Sequence, residues 1–263
     1  MTLDLHMETA GRGAPLVMIH GWGLHGGIWS DLLASLGSDW RVLCPDLPGH
    51  GASGTPPGEL DLELLTEIVA FNSPRRATFI GWSLGGMIAL DLACRFPRRV
   101  SNLVLVATTP RFVCGADWPA AVDPAVLEEF GAGLTKDYRK TVRDFLALQA
   151  RGDSHPVELL RTLRQRVFAR GLPDPTALAQ CLEVLRTTDL RASLSAIEAR
   201  TLIIAGQYDR LCPTAASQHL AGAIPGSELK IIERASHAPF LSHRQEFLQV
   251  LERFLSSHTT GVA

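Results

Sequence analysis

A serine between glycines, an aspartate far downstream and a histidine beyond it are the residues whose types and spacing could do covalent chemistry. Ser83 lies in Gly81-Trp82-Ser83-Leu84-Gly85-Gly86. The apolar run before it, Ala77-Thr78-Phe79-Ile80, reads as a buried strand, and residues 84–96 read as a helix. The serine therefore falls on a tight strand-to-helix turn. Such a turn can hold a nucleophile in a strained conformation, with small neighbours letting strand and helix pack closely beneath it. A developing oxyanion would then sit near the positive end of the helix. The same pentapeptide also fits a plainer role, in which the serine only caps the helix.

A serine hydroxyl at neutral pH needs a general base, and the base needs a carboxylate that fixes its tautomer. Two loops supply them. Gly206-Gln207-Tyr208-Asp209 follows the strand-like run Thr201-Leu202-Ile203-Ile204-Ala205, and Ala235-Ser236-His237-Ala238 follows Leu229-Lys230-Ile231-Ile232. Serine, acid and histidine each come from a loop after their own strand, in the order expected for this chemistry. Ser83, Asp209 and His237 are thus the candidate triad. Two backbone N–H groups should meet the oxyanion, one from Leu84 and one from Trp22 in the loop after the first core strand. His20 in that loop is read as structural, Asp46 as a turn aspartate bonding nearby backbone, and Asp189 as a cap or anchor.

The elements that must position these residues are legible in outline. Residues 3–9 alternate as an edge strand. Leu16-Val17-Met18-Ile19, Arg41-Val42-Leu43-Cys44 and residues 102–107 read as buried strands, and residues 29–36 and 245–254 as helices. Nearly unbroken apolar strands separated by helices point to a parallel sheet covered on both faces. Residues 111–188 show helical periodicity throughout, which predicts a helical insertion over the carboxyl ends of the strands. The expected organisation is a core in two parts, 1–110 and 189–263, with the insertion at 111–188.

Composition narrows the partners. The chain has 263 residues, 46% of them hydrophobic, and a net charge of −2, which gives no reason to expect nucleic acid. It has neither a basic, apolar leader nor a run of about 18 apolar residues, so a cytoplasmic protein without membrane contact is expected. Five scattered cysteines without paired spacing suggest neither a disulfide framework nor a metal site.

His20-Gly21-Trp22-Gly23-Leu24, the Ser83 motif, Phe145-Leu146-Ala147-Leu148-Gln149, Thr188-Asp189-Leu190-Arg191 and His237-Ala238-Pro239-Phe240 together resemble the pimeloyl-acyl-carrier-protein methyl ester esterases of biotin synthesis. The resemblance runs from the first strand to the histidine loop. It implies an α/β-hydrolase core with an inserted helical lid, the triad named above, and an oxyanion hole from Trp22 and Leu84. It further implies that Trp82 and Phe145 line an acyl pocket and that basic lid residues contact an acidic acyl-carrier protein. No cofactor is implied, and a monomer is expected.

Helical geometry offers an independent check on the lid. On a helix over 136–149, Tyr138, Val142, Phe145, Leu146 and Gln149 share one face, and Lys136, Arg139, Lys140 and Arg143 the other. Over 157–170, Leu159, Leu160, Leu163 and Val167 form an apolar stripe from which Arg161 and Arg164 point away. Arg143 and Arg161 are the first choices for carrier contact, on a patch that Asp137, Asp144, Asp153 and Glu158 interrupt. A general short-chain carboxylesterase or enol-lactone hydrolase, or a non-catalytic receptor on the same fold, are the alternatives. Serine rather than aspartate at position 83 argues against a dehalogenase-type displacement.

Overall fold

The computed structural model describes residues 3–36 and 39–256. Among them, seven strands form one sheet: β1 (Met7–Ala10), β2 (Ala14–Ile19), β3 (Trp40–Pro45), β4 (Ala77–Trp82), β5 (Val100–Val106), β6 (Arg200–Gly206) and β7 (Glu228–Ile232). Their order is β1-β3-β2-β4-β5-β6-β7. β1 runs antiparallel to β3, and every other neighbouring pair is parallel. All six residues of β4 are buried, as a strand covered on both faces requires.

The nine α-helical segments among the described residues are α1 (Ser30–Leu33), α2 (Leu62–Asn72), α3 (Leu84–Arg95), α4 (Pro124–Ala150), α5 (Pro156–Val167), α6 (Pro175–Thr187), α7 (Thr214–Ala223), α8 (Pro239–Ser242) and α9 (Arg244–Ser256). Hydropathy alone does not single out α2 and α7. The helix read at 29–36 is a 3-10 turn over Gly26–Trp29 followed by the single turn α1. The expected edge strand is shorter than its alternation suggests. Asn72 intervenes, its Oδ1 accepting from the Leu5 N–H at 2.9 Å and its Nδ2 donating to the Leu3 carbonyl at 2.8 Å, so a side chain replaces the ladder there.

Helices α4, α5 and α6 lie between β5 and β6. Each begins with proline, whose fixed φ and missing N–H suit the first turn, and Asp123 and Asp174 cap α4 and α6. α4 is interrupted at Asp137 (φ −154°, ψ 85°), whose Oδ1 accepts from the Lys140 N–H at 3.0 Å and so caps a second helical start. Lys136 therefore belongs to the first half of α4. In the second half Val142, Phe145, Leu146 and Gln149 are buried and Tyr138 is half-buried, while Arg139, Lys140 and Arg143 are exposed. In α5, Leu159, Leu163 and Val167 are buried and Arg161 and Arg164 exposed. Where the chain leaves and re-enters the core, Leu190 N–H donates to the Pro110 carbonyl at 2.9 Å, and Asp189 pairs with Arg191 at 2.7 Å and Arg111 at 3.5 Å. Asp189 is thus an anchor.

Candidate active site

Ser83 sits between β4 and α3 with φ 55° and ψ −118°, a backbone conformation that a side chain disfavours. It makes no side-chain cap bond to α3, which removes the plain capping role. The turn is held from below: Ser83 N–H donates to the Val106 carbonyl at 3.1 Å, and the Thr108 hydroxyl donates to the Ser83 carbonyl at 2.7 Å. Gly81 and Gly85 permit the close approach, since a Cβ on either would stand 2.2 Å from the Gly85 carbonyl oxygen or 2.4 Å from that of Ile19.

Asp209 and His237 come together across the ends of β6 and β7. His237 Nδ1 donates to Asp209 Oδ2 at 2.8 Å, and both side chains are buried. Asp209 Oδ1 accepts the backbone N–H groups of Leu211 and Cys212 at 2.8 and 2.9 Å. Because the carboxylate only accepts, the proton of the neutral imidazole resides on Nδ1, and Nε2 carries a lone pair. That Nε2 is buried and has no hydrogen-bond partner among the described residues. Cys212 lies close by, one ligating atom from each of Asp209, Cys212 and His237 falling within 4.8 Å of the others. Burial pushes the Cys212 thiol well above its ordinary range, so it behaves as a small apolar neighbour.

The N–H of Leu84 opens α3 and has no intrahelical acceptor. The loop carrying Trp22 is stitched in place by two histidines. His20 Nε2 accepts from the Leu47 N–H at 2.8 Å while Nδ1 donates to the Gly21 carbonyl at 2.8 Å. His50 Nε2 accepts from the Gly23 N–H at 3.3 Å while Nδ1 donates to the Pro48 carbonyl at 2.9 Å. Burial holds His20 well below the usual histidine range and brings His50 down to about 4. Both are therefore neutral near pH 7, as their acceptor roles demand. His20 is structural, and its partner His50 carried no signal in the sequence beyond lying in a turn-rich segment.

Asp46 accepts from Ala52 N–H at 2.9 Å within its own turn, and also from Gly26 N–H at 2.7 Å and Arg170 Nη1 at 2.9 Å. Its side chain is fully buried, so the aspartate joins the core to the connection between α5 and α6 as well as shaping its own turn. The aromatic residues divide in two. Phe145 meets Trp22 edge-on at 4.7 Å, and the Trp22 indole donates to the Leu178 carbonyl at 2.9 Å. Trp82 instead packs on His237 at 5.6 Å and Phe240 at 5.0 Å, its indole donating to the His237 carbonyl at 2.8 Å. Ser83 itself is only 3% exposed.

Arg143 and Arg161 are exposed and form no ion pair among the described residues. Of the acids expected to interrupt their patch, Asp144 pairs with Lys140 at 2.6 Å. Asp153 is buried and turned inward, which corrects its placement on that surface.

Residues 14–244 match the family model of the alpha/beta hydrolase fold. The chain is 43% identical over 253 residues to the pimeloyl-[acyl-carrier protein] methyl ester esterase of Stenotrophomonas maltophilia (strain K279a), covering 96% of this chain and 97% of the relative. It is equally 43% identical over 255 residues to the protein of that name from Xanthomonas axonopodis pv. citri (strain 306), covering 96% and 99%. An esterase (EaEST) from Exiguobacterium antarcticum superposes with a TM-score of 0.84 at 25% identity, over 96% of this chain and 95% of that one. The chain belongs to the alpha/beta hydrolase family and, within it, to the pimeloyl-[acyl-carrier protein] methyl ester esterases.

Proposed function

We propose that this protein is a serine carboxylesterase that hydrolyses the methyl ester at the far end of a pimeloyl chain borne by acyl-carrier protein, leaving pimeloyl-carrier and methanol. The observation that carries the chemistry is the buried 2.8 Å bond from His237 to Asp209, which leaves Nε2 without a partner and free to act as base, while Ser83 stands on the strained turn before α3. His237 takes the Ser83 proton as Oγ attacks the ester carbonyl. The N–H groups of Trp22 and Leu84 meet the oxyanion, each such donor lowering the barrier by about 3–4 kcal/mol in comparable sites. His237 then protonates the departing methoxide. Water, activated in turn by His237, attacks the acyl-enzyme and releases the acid.

Trp22, Phe145 and Trp82, with Ser83, Leu84 and His237, contribute the substrate-facing surface in this reading. The edge-on Trp22–Phe145 pair, of a kind worth about 0.5–1.5 kcal/mol beyond its buried area, supports an apolar wall for a methylene chain. The helical segment then serves as a lid whose outer face attracts the acidic carrier. Lys136, Arg139, Arg143, Arg161 and Arg164 are all exposed there. A groove of about 740 Å³ along α4 brings Phe130 and Leu148 together with both cations (Lys136, Lys140, Arg151) and acids (Glu129, Asp137, Asp144), so the attraction in this reading comes from the exposed arginines and not from the groove.

The test is to compare hydrolysis of pimeloyl-carrier methyl ester with the same ester on a small thiol, across a salt series. The carrier substrate should react far faster, with an advantage that shrinks as salt screens the patch and falls in Arg143→Glu/Arg161→Glu. Equal rates, insensitive to salt and to both substitutions, would leave a general esterase. Fluorophosphonate labelling that disappears in Ser83→Ala separates either enzyme from a non-catalytic receptor.

A further inference from the structure

The loop bearing His237 is gripped from two sides. From the core, Tyr208 N–H donates to the Ala235 carbonyl at 2.8 Å and the Trp82 indole to the His237 carbonyl at 2.8 Å. From the lid come more contacts. Ser236 donates its backbone N–H to Asp153 Oδ2 at 2.9 Å, and its hydroxyl lies 3.1 Å from that oxygen and 2.8 Å from the Gln149 carbonyl. His237 donates its own N–H to the Gln149 carbonyl at 3.3 Å, and Ser154 N–H donates to the Arg234 carbonyl at 3.0 Å. Asp153 Oδ1 accepts the N–H of His155 at 3.0 Å.

Asp153 is a buried carboxylate whose partners among the described residues are all neutral donors, two of them on the residue beside the candidate base. Burying a charge is costly, and hydrogen bonds to a charge are stronger and more directional than neutral ones. What this arrangement supplies is a fixed position for Ser236. The ring of His237 must hold Nδ1 on Asp209 while aiming Nε2 at Ser83, and a shift of about 1 Å in such a group can cost about a hundredfold in rate. Helix α4 also carries Phe145 against Trp22, so acyl contact and base placement share one support.

We propose that Asp153 is a positioning residue for His237, tying the aim of the base to the seating of the lid. The proposal rests on Ser83, Asp209 and His237 being the triad. The test uses Asp153→Ala, Asp153→Asn and Ser236→Ala, with Ser83→Ala and His237→Ala as controls. Steady-state hydrolysis of p-nitrophenyl acetate is read beside the rate of fluorophosphonate labelling. Asp153→Ala should lower kcat and labelling about tenfold or more with KM within about twofold. Asp153→Asn keeps an acceptor for Ser236 and should restore most of the rate, and Ser236→Ala should reproduce part of the loss.

A folded Asp153→Ala with unchanged kcat and labelling, or with only KM raised, overturns the proposal. Should Asp153→Ala not fold, Ser236→Ala decides: an unchanged kcat overturns the proposal, and a lowered one with an active Asp153→Asn supports it. Activity surviving in Ser83→Ala or His237→Ala refutes the triad reading itself. Loss in both controls with full activity in the Asp153 variants refutes positioning alone.

Discussion

Replacing Asp209 by asparagine should disarm His237 while leaving the fold intact, and the hydrogen bonds dictate how. Two backbone N–H groups, from Leu211 and Cys212, converge on Oδ1 at 2.8 and 2.9 Å. In the amide the oxygen must stay there, because turning the NH2 toward two donors would orphan all three, at about 1–3 kcal/mol for each buried group. The amide nitrogen therefore faces His237 Nδ1 as a donor. Nδ1 must then accept, which moves the ring proton to Nε2 and removes the lone pair that would receive the Ser83 proton. A wrong tautomer of this kind costs about 10⁴ in kcat in a comparable triad, or about 5 kcal/mol of barrier. The assay is kcat for a small ester together with thermal melting. Asp209→Asn should melt near the parent temperature, whereas Asp209→Ala abandons both N–H groups and should lose about 2–6 kcal/mol of stability. A kcat loss below about tenfold in Asp209→Asn would show that another group orients His237.

Acid should destabilise the fold through the histidines that fasten the Trp22 loop. His50 titrates at about 4 when folded, below its ordinary 6.5, chiefly through burial. The unfolded chain therefore takes up this proton first, and stability falls as pH drops from 6.5 toward 4, by about 3 kcal/mol for this group. Chemical denaturation across that range should show the slope, and His50→Gln should lessen it, leaving the part that the likewise depressed His20 contributes. Gly206→Ala would set a Cβ 2.0 Å from the Ser236 carbonyl oxygen. It should cost about 1–3 kcal/mol of stability and push the acid and histidine loops apart, read as a fall in kcat larger than any change in KM.

Much of the site is legible because its signals are local. The apolar run before Ser83, the glycines that a Cβ would block and the loops after β6 and β7 are all read within a few residues. The same holds for the faces of α4 and α5, whose periodicity places Val142, Phe145, Leu163 and Val167 inward, as found. The break at Asp137 was less visible, since an aspartate within a helical pattern reads equally as a surface residue. Trp82, given an acyl-pocket role by the family resemblance, also holds the His237 loop through its indole, a contact between residues 155 apart that no local signal shows.

The sequence by itself determined the candidate serine, acid and histidine, the parallel sheet and the amphipathic helices between β5 and β6, because residue type, order and period express these directly. Tertiary structure alone decided which buried polar groups hold them in place. His20 and His50 fasten the Trp22 loop, Asp46 meets Arg170, and Asp153 turns from an expected surface patch to grip Ser236, 83 residues away in the chain. Residue type does not say whether a carboxylate or imidazole stays in water or is buried among hydrogen-bond partners that offset its desolvation. Which it finds depends on where distant loops land, and hydropathy and spacing carry no record of that.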